Sequence, residues 1–179
     1  MTGVIIYSSV YGTGKTYAYR LRSLSKFDLF SYDEIKDLDH YDTIIYIGSI
    51  YAGIVKGMRG VFKRIDPQDK KLILITIGIV DPMNKENQDN IKNNIKALVS
   101  NAVYSKLKIY HLKGAIDYQK LSLKHRFLMY LIYKKASKSD PNKQSSEEKA
   151  ILETYKKMLS FVDFDELKKI WEEIYADIN

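Results

Sequence analysis

Apolar residues fall in short blocks along the chain, and polar turns separate these blocks. Runs of continuous hydrophobicity, typical of strands covered on both faces, predict five strands at Val4–Tyr7, Phe27–Tyr32, Asp42–Gly48, Lys71–Gly78 and Leu107–Leu112. Apolar residues at helical spacing predict helices at Thr13–Ser25, about Val55–Ile65, Asn87–Ser100 and Glu147–Phe161, and from the capping-box pair Asp163 and Glu166 onward. Because strands and helices alternate, we expect parallel βαβ units with right-handed crossovers.

The length of the chain predicts one domain, and the parallel sheet predicts where its ligand binds. A chain of 179 residues with 45% hydrophobic content can form one well-packed core, so we expect a single domain over residues 1–179. In open parallel sheets, ligands bind beyond the carboxyl ends of the strands. The loops to consider are therefore residues 8–16, 49–57, 77–84 and 113–119.

The amino-acid composition limits the kinds of reaction that the side chains can carry out. The absence of cysteine excludes disulfides, thiolate catalysis and Cys-based metal sites, so any redox chemistry must come from a cofactor. The three histidines of the chain lack metal-ligand spacing, and the sequence assigns neither a metal site nor a catalytic residue. The net charge of +7 arises largely from lysines interspersed with acids, and we expect no nucleic-acid partner. No apolar run is long enough to span a bilayer, which predicts a cytoplasmic protein, at most attached to a membrane surface.

The loop YSSVYGTGKT, residues 7–16, has two competing interpretations as a phosphate site. Its end resembles the nucleoside-triphosphate motif G-x-x-x-x-G-K-[ST], but Ser9 occupies the first glycine position. A mononucleotide phosphate instead needs hydroxyls and amides at a helix start. Ser9, Thr13 and Thr16 can supply the hydroxyls, and Gly12 and Gly14 let the backbone amides approach the phosphate. An ordinary strand-to-helix turn is a third interpretation, and the loop alone does not decide among them.

Longer stretches resemble a known family. They are YSSVYGTGKTYAYRL (7–21), YDTIIYIGSIYAGIVKGMRGVFKR (41–64), KKLILITIGIVDP (70–82) and KIYHLKGAIDYQKLSLKHRFLMYLIYKK (108–135). In this order they resemble the flavodoxin-like superfamily, and within it the branch of flavodoxin-domain proteins and menaquinone-type protoporphyrinogen oxidases. The resemblance implies an α/β three-layer sandwich, with a five-stranded parallel sheet of order 2-1-3-4-5 and helices on both faces.

The resemblance also implies FMN as cofactor and residues that hold it. The phosphate would lie on Ser9, Val10, Tyr11, Gly12, Thr13 and Gly14. The isoalloxazine ring would lie between two loops, with Ser49, Ile50, Tyr51, Ala52 and Gly53 on one side and Thr76, Ile77, Gly78 and Ile79 on the other. Gly14 stands where many relatives have a second hydroxyl residue. The sequence therefore indicates which loop residues contact the phosphate only to within two positions.

A basic amphipathic insert near residues 117–145 distinguishes the chain. Between residues 113 and 143 eight Lys and Arg residues face two acids, and bulky apolar residues recur at helical spacing from Leu123 to Ile132. Such a helix can lie on an anionic membrane, but its apolar stripe can equally pack on the sheet or on a partner subunit. In the family that the chain resembles, the insert is associated with substrate or membrane contact.

The resemblance implies an FMN-binding oxidoreductase that passes electrons between a reduced substrate, of protoporphyrinogen type, and a quinone or another acceptor. The expected partners are a redox protein or quinone, an anionic small molecule and a membrane surface. The alternatives are an electron-transfer flavodoxin without its own substrate, a P-loop nucleotide-binding protein, and an interaction module without cofactor. Flavodoxins that shuttle electrons are commonly acidic, so the basic charge favours the enzyme.

Overall fold

Five parallel strands form the centre of the molecule. The structure is a computed structural model that describes residues 2–51, 54–80 and 84–178, and for Tyr51 and Glu147 it describes the backbone alone. The parallel strands are β1 (Gly3–Ser8), β2 (Asp28–Ser31), β3 (Thr43–Tyr51), β5 (Lys71–Gly78) and β6 (Leu107–Lys113), and the short β4 (Ile54–Val55) pairs antiparallel with β3. The sheet order is β2-β1-β3-β5-β6. Counting the parallel strands alone, this is the predicted order 2-1-3-4-5.

Helices cover both faces of the sheet, as predicted. Helices α1 (Thr13–Ser25) and α7 (Phe164–Ile178) pack on one face, and α2 (Met58–Phe62), α3 (Lys85–Leu98) and α4 (Asn101–Lys106) pack on the other. In the central strand, the consecutive residues Ile44, Ile45, Tyr46 and Ile47 are all fully buried, because alternate side chains enter opposite cores. The unbroken apolar run in the sequence therefore reflects a sheet with two covered faces.

Three predicted helices have different bounds in the structure. The helix expected over residues 87–100 is shifted by two residues, to Lys85–Leu98. The helix expected over residues 55–65 begins only at Met58, because Ile54 and Val55 pair with β3 and Gly57 adopts a φ of 76° at the helix start. The helix expected over residues 147–161 is wrong in its second half. Helix α6 (Ser146–Thr154) ends before Lys156, whose φ is 60°, and β8 (Met158–Ser160) then pairs antiparallel with β7 (Ala115–Asp117).

The basic insert forms helix α5 (Leu123–Ala136) and a 3-10 turn (Pro141–Lys143) that leads into α6. Ser145 and Glu148 close a capping box at the start of α6, and the rings of Tyr133 and Tyr155 stack with centroids 3.9 Å apart. The ring stacking joins α5 to the end of α6, and both helices line the cavity at the carboxyl edge of the sheet. None of the helices within the described ranges has the length and hydrophobicity needed to cross a membrane.

The hydroxyl of Tyr17 ties three distant segments together. Tyr17 lies fully buried on α1, donates to the carbonyl of Lys113 at the end of β6 (2.7 Å), and accepts from the backbone N–H of Asp163 (2.8 Å). Asp163 Oδ1 caps α7, as predicted, by accepting from the amides of Asp165 and Glu166. Burial raises the pKa of Tyr17, so its hydroxyl keeps the proton that it donates.

We expect Tyr17→Phe to lower the free energy of unfolding by about 1–2 kcal/mol, because it removes a buried hydroxyl that makes two part-buried hydrogen bonds, one to the Lys113 carbonyl and one from the Asp163 N–H. Urea unfolding followed by circular dichroism measures the change. Tyr19→Phe is the matched control, since Tyr19 lies on the same helix and is 50% exposed. Equal effects of the two substitutions would contradict the role assigned to the Tyr17 hydroxyl.

Candidate functional site at the carboxyl edge of the sheet

The turn between β1 and α1 leaves the start of the helix open to an anion. Gly12 adopts a φ of 99°, and its amide donates to Ser9 Oγ at 3.0 Å. No side chain caps α1, and no acid lies in its first turn. Because unsatisfied amides and the helix dipole favour negative charge, this turn provides the electrostatic setting that a phosphate needs.

Gly14 allows α1 to sit directly against the end of β1. A Cβ atom at this position would lie 2.5 Å from the backbone oxygen of Ser8, a contact that real Cβ atoms do not make. Thr16 differs from the expectation that its hydroxyl serves the loop, because this hydroxyl bonds the Gly12 carbonyl within the helix (3.2 Å). Lys15 extends over the ring of Tyr19, with 5.6 Å between Nζ and the ring centroid.

A cavity of about 260 Å³ opens beside this turn. The predicted site residues that line it are Val10, Tyr11, Thr13, Ser49, Ile50, Thr76, Ile77, Gly78 and Ile79. Ser9, Gly12 and Gly14 shape the turn without lining the cavity. Ala52, Gly53 and the side chain of Tyr51 lie outside the described part of the chain. The fold thus gathers three separate loops of the sequence around one cleft.

Helices α5 and α6 form the outer wall of the cleft. Their contribution is apolar and comes from Leu128, Met129, Ile132 and Ile151. Tyr11 of the opening turn hydrogen-bonds His125 Nδ1 at the start of α5, and the two rings meet edge to face with centroids 5.6 Å apart. This contact links the candidate phosphate loop to the insert, and it gives His125 a structural partner that the sequence did not indicate.

The apolar residues of α5 divide between two faces rather than forming one stripe. One face lines the cleft, whereas Leu123, Phe127 and Leu131 point outward and are 81%, 63% and 45% exposed. Tyr130, which is 42% exposed, lies beside them. The outward face therefore carries apolar surface on a helix rich in lysine.

A histidine and a threonine are among the polar residues that line the cleft. His111 of β6 lies directly opposite Thr76 of β5, and 2.6 Å separates Thr76 Oγ1 from His111 Nδ1. Nε2 of His111 is buried and has no hydrogen-bond partner among the residues that the structure describes. Burial, reinforced by the ammonium of Lys92, lowers the pKa of His111 to about 4, so the ring is neutral at pH 7. No group of three potential metal-binding side chains occurs among the described residues.

Comparison with known proteins decides the family. Residues 4–143 match the family model of the flavodoxin domain. The chain belongs to the flavodoxin domain family. The match includes all five parallel strands and helix α5, and it ends before α6. No curated protein matches the chain in sequence at a significant level.

Solved structures similar to this flavodoxin-domain protein match it at low sequence identity and with TM-scores below 0.5. A flavoprotein in complex with FMN from Lactobacillus acidophilus NCFM is 12% identical with a TM-score of 0.45, and the match covers 63% of this chain and 91% of that one. A flavodoxin from the domain Archaea is 14% identical (TM-score 0.39; 64% and 85% covered). The Trp repressor binding protein from Bacillus subtilis is 16% identical (TM-score 0.38; 63% and 83% covered). The family assignment therefore depends on the sequence match.

We expect Gly14→Ala to lower the free energy of unfolding by about 1–3 kcal/mol, because the new methyl group must push α1 away from the end of β1. Urea unfolding measures the change. Gly60→Ala is the matched control: Gly60 lies inside helix α2 with no atom within 4 Å of a new Cβ. Since alanine favours helix over glycine, this control should raise the stability by roughly 0.5–1 kcal/mol. Destabilisation by both variants alike would contradict the tight seating of α1.

Proposed function

We propose that this protein binds FMN in the cleft and functions as an oxidoreductase. The observation that carries the proposal is the juxtaposition, within a flavodoxin domain, of an uncapped helix start that favours an anion and a mostly apolar cavity suited to a ring. When bound, FMN would supply the electron chemistry, which the side chains of a cysteine-free chain cannot. The family assignment favours the mononucleotide interpretation of the opening loop over the P-loop interpretation.

The residues present fit the two halves of the cofactor. The turn from Ser9 to Gly14 would hold the phosphate through amides and hydroxyls. The loops from Ser49 to Gly53 and from Thr76 to Ile79 would flank the ring. Both glycines of the turn support this assignment, since Gly12 needs its positive φ and Gly14 has no room for a side chain. No lysine is required in such a site, which agrees with the position of Lys15 over Tyr19.

The remaining residues of the cleft would control its access to water. The apolar wall from α5 and α6 covers the cavity, and the Tyr11–His125 contact links that wall to the candidate phosphate loop. Exclusion of water strengthens electrostatic interactions inside a site and protects reactive species from side reactions. We propose that the insert serves as this cover, and that a substrate reaches the ring from the edge of α5.

We expect the purified protein to be yellow, to release FMN on heating, and, after removal of the flavin, to bind added FMN at a stoichiometry of about one. Fluorescence titration of the apoprotein measures this binding. Lys15→Met should change the FMN affinity by less than about threefold, since the lysine is outside the cleft. A colourless protein that does not bind FMN, or one stabilised by ATP with Mg²⁺ in a manner that depends on Lys15, would contradict the proposal.

For the reaction itself, we propose a reduced, anionic substrate of porphyrinogen type and a quinone or another electron acceptor, with a redox protein as the alternative partner. The support is the chemistry of the insert. Its lysines would attract carboxylates, and Leu123, Phe127 and Leu131 offer apolar surface that an anionic membrane could accommodate. The second candidate is an electron-transfer flavodoxin, which would need only an accessible ring and a protein partner.

We expect the FMN-loaded protein to oxidise protoporphyrinogen with menaquinone in vesicles, and to do so faster when the vesicles contain anionic lipid, because the lysines of α5 concentrate the protein at that surface. Porphyrin fluorescence follows the reaction. The double substitution Lys134→Glu and Lys135→Glu should abolish the preference for anionic vesicles, whereas reversal of Lys36 and Lys63, exposed lysines outside the insert, should preserve it. Reduction by a flavodoxin reductase without any turnover of protoporphyrinogen would favour the electron-transfer candidate.

A further inference from the structure

Asn87 is a polar residue of the cleft that lies outside the three loops described above. It belongs to the first turn of α3 and lines the cavity, although only 8% of its surface is exposed. Its backbone N–H donates to Asn84 Oδ1 at 2.9 Å, which holds the start of the helix in place. Ile91, one turn further along α3, lines the same cavity. This face of α3 is therefore directed toward the cleft.

The carboxamide of Asn87 has no hydrogen-bond partner in the part of the chain that the structure describes. In a capping box it would accept from the backbone N–H of the capping residue, but the capping bond of α3 comes from the Asn84 side chain alone. The described side-chain atoms that are both sealed from solvent and unpartnered belong to Ser8, His111 and Tyr118. The unpartnered carboxamide of Asn87 is therefore open to the cavity that this residue lines.

The chemistry of this carboxamide identifies the class of ligand that would pair with it. An amide presents an acceptor and a donor side by side. A ligand edge with an N–H beside a carbonyl satisfies both groups, whereas a carboxylate or phosphate offers acceptors alone. No described lysine or arginine lines the cavity, so an anion placed at Asn87 would lack a countercharge. The complementary group is a neutral lactam or imide.

The isoalloxazine ring carries such an edge at its pyrimidine end, where a ring N–H lies between two carbonyl groups. We propose that the carboxamide of Asn87 binds this edge, accepting from the ring N–H and donating to an adjacent carbonyl oxygen. The inference rests on the proposed binding of FMN and adds a residue of α3 to the cofactor site. One cavity is lined both by Thr13 of the opening turn and by Asn87, so a ligand with its phosphate at the turn can direct its ring toward α3.

A flavin analogue tests the contact on the unaltered protein. In N3-methyl FMN a methyl group replaces the hydrogen of the pyrimidine N–H, so the analogue cannot donate to Asn87. We expect the apoprotein to bind FMN about 5- to 150-fold more tightly than the analogue, the range for leaving one buried polar group unsatisfied. Fluorescence titration measures both affinities. Equal affinities of the wild type for the two flavins would overturn the proposal and leave the proposed binding of FMN intact.

Substitutions of Asn87 attribute this discrimination to its carboxamide. Asn87→Leu, which is similar in size, should weaken FMN binding by about 5- to 150-fold and reduce the preference for FMN over the analogue to less than about threefold. Asn87→Asp suits the first turn of a helix and keeps an acceptor for the ring N–H, so it should retain a preference for FMN. Asn93→Leu is the matched control, since Asn93 lies exposed on α3 outside the cavity lining, and it should bind both flavins as the wild type does. An unchanged preference in Asn87→Leu would refute the assignment.

Stability of the apoprotein distinguishes this role from a merely structural one. Because the carboxamide has no partner without the cofactor, the midpoint of urea unfolding of Asn87→Leu without FMN should equal or exceed that of the wild type. A lower midpoint in both Asn87 variants, with equal loss of affinity for the two flavins, would identify a structural residue and overturn the proposal. A wild type that binds neither flavin would instead refute the proposed function and, with it, this inference.

Discussion

The close contact between α1 and the carboxyl end of β1 is the constraint on which the site depends. Parallel strands all end at one edge, but a ligand can use that edge only if a helix start is held there at a fixed position. Gly14 permits this contact because its missing side chain leaves room for the Ser8 carbonyl. Tyr17, one turn further along α1, then joins the same helix to the end of β6 and the start of α7. The anion site and the two outer elements thus share one anchor.

Most of the fold follows from local patterns in the sequence. The isoleucine-rich runs identify the central strands because only a sheet covered on both faces buries consecutive residues such as Ile44 and Ile45. The bounds of α1 were predicted correctly since glycines precede the helix and apolar residues recur at its period. Strand β8 could not be predicted in this way. Met158–Ser160 become a strand by pairing with Ala115–Asp117, more than forty positions earlier in the chain, and Lys156 ends α6 in a conformation that its side chain does not signal.

The site was predictable as a set of loops but not as a closed cleft. Val10, Ser49 and Gly78 lie near the carboxyl ends of strands, so their convergence follows from the parallel topology. The wall from α5 could not be assigned from periodicity, because apolar residues on two faces of the helix give the same signal as one broad stripe. Only the packing of α5 on α6 separates Met129, which lines the cavity, from Phe127, which is exposed. The contact between Thr76 and Nδ1 of His111 is likewise a property of the fold, since it depends on Thr76 lying opposite on the neighbouring strand.

The chain is basic overall, but no described lysine or arginine lines the cleft, and the interior of the cleft is largely uncharged. The cations of the insert lie at its exposed surface, where water screens them. The open start of α1 lies at the rim, and it can favour a phosphate through amides alone. Burial and the nearby Lys92 keep His111 uncharged, so this lining residue adds no charge to the cleft. The uncapped helix start suits an anionic group, and the uncharged lining suits a neutral one, so the two parts of the cleft favour the two ends of one molecule.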